Sequence, residues 1–157
     1  MGMQSEFFEK IAQHKSIRIS VRSICLRDSY LLVEQPSDDP HACYSFIGGE
    51  LEFGELMEAG LKREYQEEIG LEAKIIRYLF VVENRFRFNY QLIHSLEHYF
   101  QIEVEPTQIV SQESDLIQRW LPIKHLKKYD IRPHVVRNAI FNGSWLTARR
   151  LIVPLSN

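Results

Sequence analysis

Gly49-Glu-Leu-Glu-Phe-Gly-Glu55 is followed, seven residues on, by Arg63-Glu-Tyr-Gln-Glu-Glu-Ile-Gly-Leu71. This region gathers eight of the chain's 21 acidic residues into positions 50–72, with Lys62 and Arg63 as the local cations. Carboxylates this close repel one another, which raises their pKa values or destabilises the fold unless a cation sits among them. Gly48-Gly49 reads as a turn, because paired glycines reach backbone angles that other residues resist. A helix is expected from near Glu55, where early acidic residues suit the positive end of the helix dipole. Along it Met57, Leu61, Tyr65 and Ile69 recur every four residues and form one apolar stripe. Glu64 and Glu68 share another face, with Glu67 three residues after Glu64. Gly70 falls where a left-handed cap ends helices. One face is core, and the other presents three carboxylates at a fixed pitch, an arrangement suited to a hard divalent metal.

Those residues resemble the Nudix box, G-x5-E-x7-R-E-U-x-E-E-x-G-U, with U a bulky aliphatic residue. Gly49, Glu55, Arg63, Glu64, Glu67, Glu68, Gly70 and Leu71 all stand in register. Seven specified residues, each at roughly 6–7% abundance, coincide on the order of once in 10⁸ windows. Tyr65 departs from the usual aliphatic residue, and Ile47 replaces the proline that many members place before Gly-Gly. Tyr65 lies on the apolar stripe and so reads as altered packing. The resemblance implies an α/β (α+β) fold, an α/β/α sandwich with a central mixed sheet. It extends more weakly over about residues 17–128, through Phe46 to Gly49, Glu83-Asn84 with Phe86, and Trp120 to Ile123.

Length and composition fit that expectation. A chain of 157 residues, 45% apolar and 25% charged, suits one globular domain over residues 1–157 with a real core. No apolar run approaches the roughly 20 residues that span a bilayer, and no signal sequence is evident. Cys25 and Cys43 lack paired spacing and fit free thiols in a reducing cytosol, so a cytoplasmic location is expected. A net charge of −2 argues against nonspecific nucleic-acid binding by the whole surface. From Arg119 onward, however, eight Lys or Arg face a single acid, Asp130. Balance of the acidic helix is the simpler account of this basic tail.

Reading along the chain, residues 3–14 form a short amphipathic helix. Residues 17–26 alternate as a strand and turn through 27–29 into a second strand at 30–34. Residues 43–47 run back to the glycines. After the box loop and helix (48–71), residues 74–83 and 93–104 read as long strands, with an aromatic-rich loop at 84–91 between them. Two helices are expected within about 122–142, each with a proline near its start. A mixed sheet between helices accounts for this order.

Hard oxygen ligands on a helix suit Mg²⁺ or Mn²⁺. The expected reaction is hydrolysis of a phosphoanhydride in a nucleoside diphosphate linked to another group. ADP-ribose-like sugar nucleotides and (d)NTPs are the leading small-molecule substrates. The resemblance implies Glu64 and Glu68 as primary metal ligands, Glu67 completing the set, and the Gly49 carbonyl as a further ligand. Arg63 is expected to hold these carboxylates in place with its rigid fork, and Glu55 to join the network. The resemblance also implies a general base from a later loop. Glu113 is the first candidate, and Glu97, on a strand expected to approach the site, is the second. Phe86, Phe88 and Tyr90, with Tyr44, are candidates for stacking on a base, although alternating aromatics also fit hairpin packing. His94-x3-His98 has zinc-like spacing only on a helix, and its surroundings read as strand. Two rival readings stand beside the hydrolase: a nucleotide-sensing domain without turnover, and an enzyme acting on RNA 5′ ends. Many relatives dimerise, and nothing in the sequence locates an interface.

Overall fold

The computed structural model describes residues 2–105 and 115–155. In chain order its elements are α1 (Met3–His14), β1 (Arg18–Arg27), β2 (Tyr30–Pro36), β3 (Tyr44–Ser45), β4 (Gly48–Glu50) and α2 (Met57–Ile69). Then come β5 (Ala73–Phe88), β6 (Gln91–Val104), β7 (Leu116–Pro122), β8 (Ile131–Arg132), α3 (His134–Asn142) and β9 (Arg150–Ile152). The sheet runs β8-β3-β2-β1-β6-β5-β9, with β4 also on β1 and β7 also on β2. It is mixed: β1 pairs parallel with β6, whereas β1–β4, β2–β7 and β5–β6 are antiparallel. Helices lie on both faces, as the α/β/α expectation requires.

Two apolar clusters fix the layers. On one face Leu61, Tyr65 and Ile69 of α2 pack on Val21, Cys25, Phe100 and Ile102. On the other, Val136, Ala139 and Ile140 of α3 join Ile24, Phe46, Phe80, Tyr99 and Trp145. Burying each such side chain contributes about 1.5–3 kcal/mol, so α2 is bolted to the sheet along its stripe. Tyr65 is fully buried, and its hydroxyl lies 2.6 Å from Ser23 Oγ. A polar tip at this core position is thus satisfied, which is how the stripe accommodates tyrosine.

The 84–91 loop is corrected by the structure. β5 runs unbroken to Phe88, and the turn is only Asn89-Tyr90, both with positive φ (47° and 65°). Two left-handed residues match the twist of a tight hairpin, and asparagine tolerates that region. The first of the two late helices is a 3₁₀ segment, Ile123–Lys128, and α3 follows Pro133. β9 adds a parallel edge strand on β5, pairing Val82 with Leu151.

Candidate active site

Gly48 and Gly49 are not a turn: both lie in β4, paired with Arg22 and Val21 of β1, and the strand backbone comes up against the Glu64 side chain of α2. Gly48 holds φ +146°, and a Cβ there would drive into the Val21 carbonyl. Gly49 pairs with Val21, and a Cβ on it would overlap the Glu64 carboxylate. These glycines let backbone approach within reach of a helix side chain. Arg22 Nη1 clamps the entry to β4 from β1, donating to the carbonyls of Phe46 (3.0 Å) and Gly48 (2.9 Å).

Helix α2 begins at Met57, two residues later than the acidic pattern suggests, because Glu55 is used elsewhere. Its Oε2 accepts from the Glu52 backbone N–H at 3.1 Å, shaping the loop before the helix. Arg63 then ties that loop to the helix face. Its Nε and Nη2 fork onto Glu55 at 2.9 and 3.1 Å, and its Nη1 donates to Glu64 at 2.9 Å and Glu67 at 3.2 Å. Nη2 also reaches the Glu50 carbonyl at 3.2 Å. The planar guanidinium suits this many-pronged role, which a lysine point charge could not fill. The Arg63 hydrogen bonds hold Glu55 below the ordinary carboxylate range.

Glu64 and Glu68 turn inward, while Glu67 stays half exposed. Burial raises the Glu64 pKa against the opposing pull of Arg63. Glu68 is buried beside Glu34, a residue of β2 that sequence reading missed. Burial pushes both carboxyls up; the Glu34 charge pushes Glu68 further, whereas Arg22 and a hydrogen bond with Glu68 draw Glu34 part of the way back. Oε2 of Glu34 and Oε2 of Glu68 are buried with no hydrogen-bond partner among the described residues. Arg22 faces this pair. Burial works against its charge, but Glu97 and Glu34 more than offset that and raise its pKa.

Glu97 sits on β6 behind Arg22, on the face where register aligns Ser20 with Glu97 and Val82 with Glu97. Its carboxylate accepts from Asn84 Nδ2 (2.8 Å), Tyr99 Oη (2.9 Å) and Ser95 Oγ (3.2 Å). Three donors on two oxygens fix the orientation of this carboxylate on the sheet. Glu113 lies outside the described residues.

The stacking candidates are not brought to the carboxylates as free rings. Phe86 and Phe88 lie on β5 and contact Phe8 of α1, with centroids 5.2 and 5.1 Å apart. Tyr44 packs edge-on against Tyr129 at 6.0 Å. Each ring has a partner within the chain because alternate positions of a strand share a face. His94 and His98 lie on β6, as the strand reading holds. Several tail cations are engaged: Arg132 on Asp130, Arg150 on Glu83, and Lys127 over Phe141.

What the arrangement can hold follows from its donors. The side chains on offer are carboxylates, whose oxygens are the hard ligands that Mg²⁺ and Mn²⁺ take. Partnerless Glu68 Oε2 is an atom that a cation would satisfy. As arranged, Arg63 spans Glu64 and Glu67, and no three acidic, histidine or cysteine side chains among the described residues converge on one point. The donor set therefore fits a divalent ion, with Arg63 as the group that positions two of its members.

Glu34 and Arg22 could have been noticed. Glu34 follows the apolar run Leu31-Leu32-Val33 in a strand, where a charge needs a partner, and Arg22 belongs to the polar rank of β1.

Comparison with known proteins places this geometry. The NUDIX domain family model matches residues 16–139. The NAD-capped RNA hydrolase NudC of Pseudomonas aeruginosa is 28% identical over 148 residues, covering 88% of this chain and 51% of that protein. The chain thus spans about half the length of the curated relatives it matches. A Nudix hydrolase structure from Nitrosomonas europaea has a TM-score of 0.67 at 14% identity, covering 90% of this chain and 81% of that one. An ADP-ribose pyrophosphatase structure from Streptococcus suis has a TM-score of 0.63 at 11% identity, covering 88% and 100%. No helix among the described residues is long and apolar enough to cross a membrane. Box residues, layered fold and the match over most of its length agree: the chain belongs to the Nudix hydrolase family.

Proposed function

We propose that the chain hydrolyses a phosphoanhydride bond in a nucleoside diphosphate linked to another moiety, with Mg²⁺ or Mn²⁺ as cofactor. The observation that carries this is the Arg63 fork, which gathers Glu55, Glu64 and Glu67, with Glu64 against the Gly49 backbone. A solvated helix face has no use for such convergence. Glu64, Glu68 and Glu67 are the proposed metal ligands, with the Gly49 carbonyl a fourth and Glu34 a neighbour that can complete the set. When bound, the cation would neutralise diphosphate charge and activate the attacking water. Arg63 keeps Glu64 and Glu67 aimed, and Glu68, which burial and repulsion from Glu34 push toward the protonated form, would give up its proton as the cation enters. Arg22 limits that repulsion from within. Glu97 orients groups on the sheet face, and Glu113 is retained as the proposed base.

For substrate, ADP-ribose-like sugar nucleotides, dinucleotides such as NADH, and (d)NTPs lead. The likeness to NudC supports a second reading, action on a nucleotide-capped RNA 5′ end. One experiment addresses both. Release of nucleotide or phosphate is measured from ADP-ribose, NADH, diadenosine polyphosphates, (d)NTPs and 5′-capped or triphosphorylated RNA, with each metal, for wild type and Glu68→Gln. Metal-dependent release lost in the variant supports the hydrolase and names the substrate. Binding without turnover by any substrate would replace it with a sensing domain. A preference for RNA that falls steeply with salt would favour the second reading.

A further inference from the structure

The sheet face that carries Glu97 extends beyond the carboxylates. Ser20, Asn84, Ser95 and Glu97 form a buried polar floor there. Phe86 and Phe88 continue the same face toward the hairpin tip, two and four residues beyond Asn84. Four residues along β6 separate Glu97 from Ile93, the partner of Phe86. At the strand rise that is about 13 Å, comparable to the reach of an extended nucleoside diphosphate.

Helix α1 is anchored on this face from one side to the other. At one end the Met3 N–H donates to Asp38 Oδ2 (3.4 Å) and Gln4 Nε2 lies 3.8 Å from Cys43 Sγ. In the middle Phe7 sits under the Arg18 guanidinium, 5.0 Å from its ring centre. Phe8 then meets Phe86 at 83° and Phe88 at 45°, and Asn89 Nδ2 donates to Glu9 at 3.1 Å.

The attachment is thin. Ala12 alone among the residues of α1 is buried, Phe7 is 47% exposed, and the anchoring hydrogen bonds are mostly long and exposed. Lys15, at φ 48°, joins the helix to β1 in a conformation that favours glycine. A cleft of about 540 Å³ opens beside that joint, between Ile11–Lys15 and Gln91–His94. The helix also lies outside residues 16–139, the part that matches the family.

We propose that α1 is a strap over the base-binding end of the nucleotide site, and that Phe8 occupies the Phe86–Phe88 platform until a nucleobase displaces it. The exchange is ring for ring, so the platform keeps aromatic company in both states. Closure scales apparent affinity down to the fraction of molecules in which α1 is lifted. This rests on the nucleotide reading of the carboxylate site.

The test uses wild type, Phe8→Ala, and Gln4→Cys joined to Cys43 by a short cleavable bis-maleimide. Steady-state kinetics are read together with ADP binding and amide hydrogen exchange of residues 3–14. Phe8→Ala should lower KM at least three-fold with kcat unchanged. Bridging should lower kcat/KM at least ten-fold, with recovery on cleavage, and ADP should speed exchange in residues 3–14 of wild type. Full activity or full ADP affinity of the bridged protein overturns the strap, as does an unchanged or raised KM in Phe8→Ala. If no substrate turns over, ADP binding and exchange still decide the strap. ADP binding to neither form would sink the nucleotide site itself, and the strap with it.

Discussion

Helices α1 and α2 are nearly equal in length, twelve and thirteen residues, and both end on a left-handed residue. Their attachments differ throughout. α2 buries Leu61, Tyr65 and Ile69 almost completely and is tied to the preceding loop through Arg63. α1 buries Ala12 and leans on the sheet with two phenylalanines. α2 ends on Gly70 at φ 70°, where the conformation costs nothing, whereas α1 ends on Lys15 at φ 48°. A helix that must hold three carboxylates at a fixed pitch needs a core under it. One that needs only to cover a surface does not. Amphipathic pattern alone announces a helix, and the depth of its partners decides whether it is scaffold or cover.

The comparison breaks most easily at the anchorage of α2. Gly48→Ala places a Cβ in the Val21 carbonyl and forces a left-handed φ on alanine, so it should destabilise by about 4 kcal/mol or prevent folding. Urea unfolding of the purified variant reads this directly, and a loss under about 1 kcal/mol would show that the β1–β4 pairing can relax. Next in size is Arg63→Ala, which frees Glu55, Glu64 and Glu67 together. With Glu64 and Glu67 as the proposed metal ligands, turnover should fall about 10–100-fold. Arg63→Lys should recover little of it, because an ammonium cannot fork onto Glu55 while reaching Glu64.

How much of this was legible follows from the same contrast. The box helix, its Gly70 cap and its core stripe could be read because spacing encodes them locally, and only the start was displaced, by the use of Glu55 as an Arg63 partner. β1 was legible as a strand but not in its exposure. Ile17 and Ile19 are 56% and 43% exposed, while Ser20 of the polar rank is buried. Alternation gives a period, and which rank faces inward depends on what the other elements cover. Glu34 escaped notice because its partner, Glu68, is 34 residues away in the chain. No local signal marks Phe86 and Phe88 as strand, because Asn89-Tyr90 is not the Asn-Gly pair that announces tight hairpins. β9 has three residues, too few for any local pattern to mark, and exists through its pairing with β5.

Metal addition sharpens the contrast from the other side. A cation that binds the folded carboxylate cluster should stabilise the protein by about 2.7 kcal/mol at a hundred times its Kd. The gain should appear as a raised Tm with Mg²⁺ or Mn²⁺ and vanish in Glu68→Gln. Exchange of the α2 amides should slow with it, while exchange of residues 3–14 should not change, since α1 contributes no carboxylate to the cluster. Equal slowing of both helices would mean that they move as one unit.

The smallest expected effect bears most directly on α1. Leu61→Ala removes a fully buried side chain under α2 and should cost about 2–5 kcal/mol, because the tight core can only partly close the cavity. Phe8→Ala also deletes a large apolar side chain, but from a half-buried position whose neighbours, Phe86 and Phe88, can settle into the space left. The lost ring contacts should cost about 1 kcal/mol or less. That small global change should accompany a large local one. In urea series followed by amide exchange, residues 3–14 should open at a free energy well below that of α2 in wild type, and lower still in Phe8→Ala. A Phe8→Ala loss as large as that of Leu61→Ala would place α1 within the cooperative core. A helix held that firmly could not be displaced by the binding of a single base.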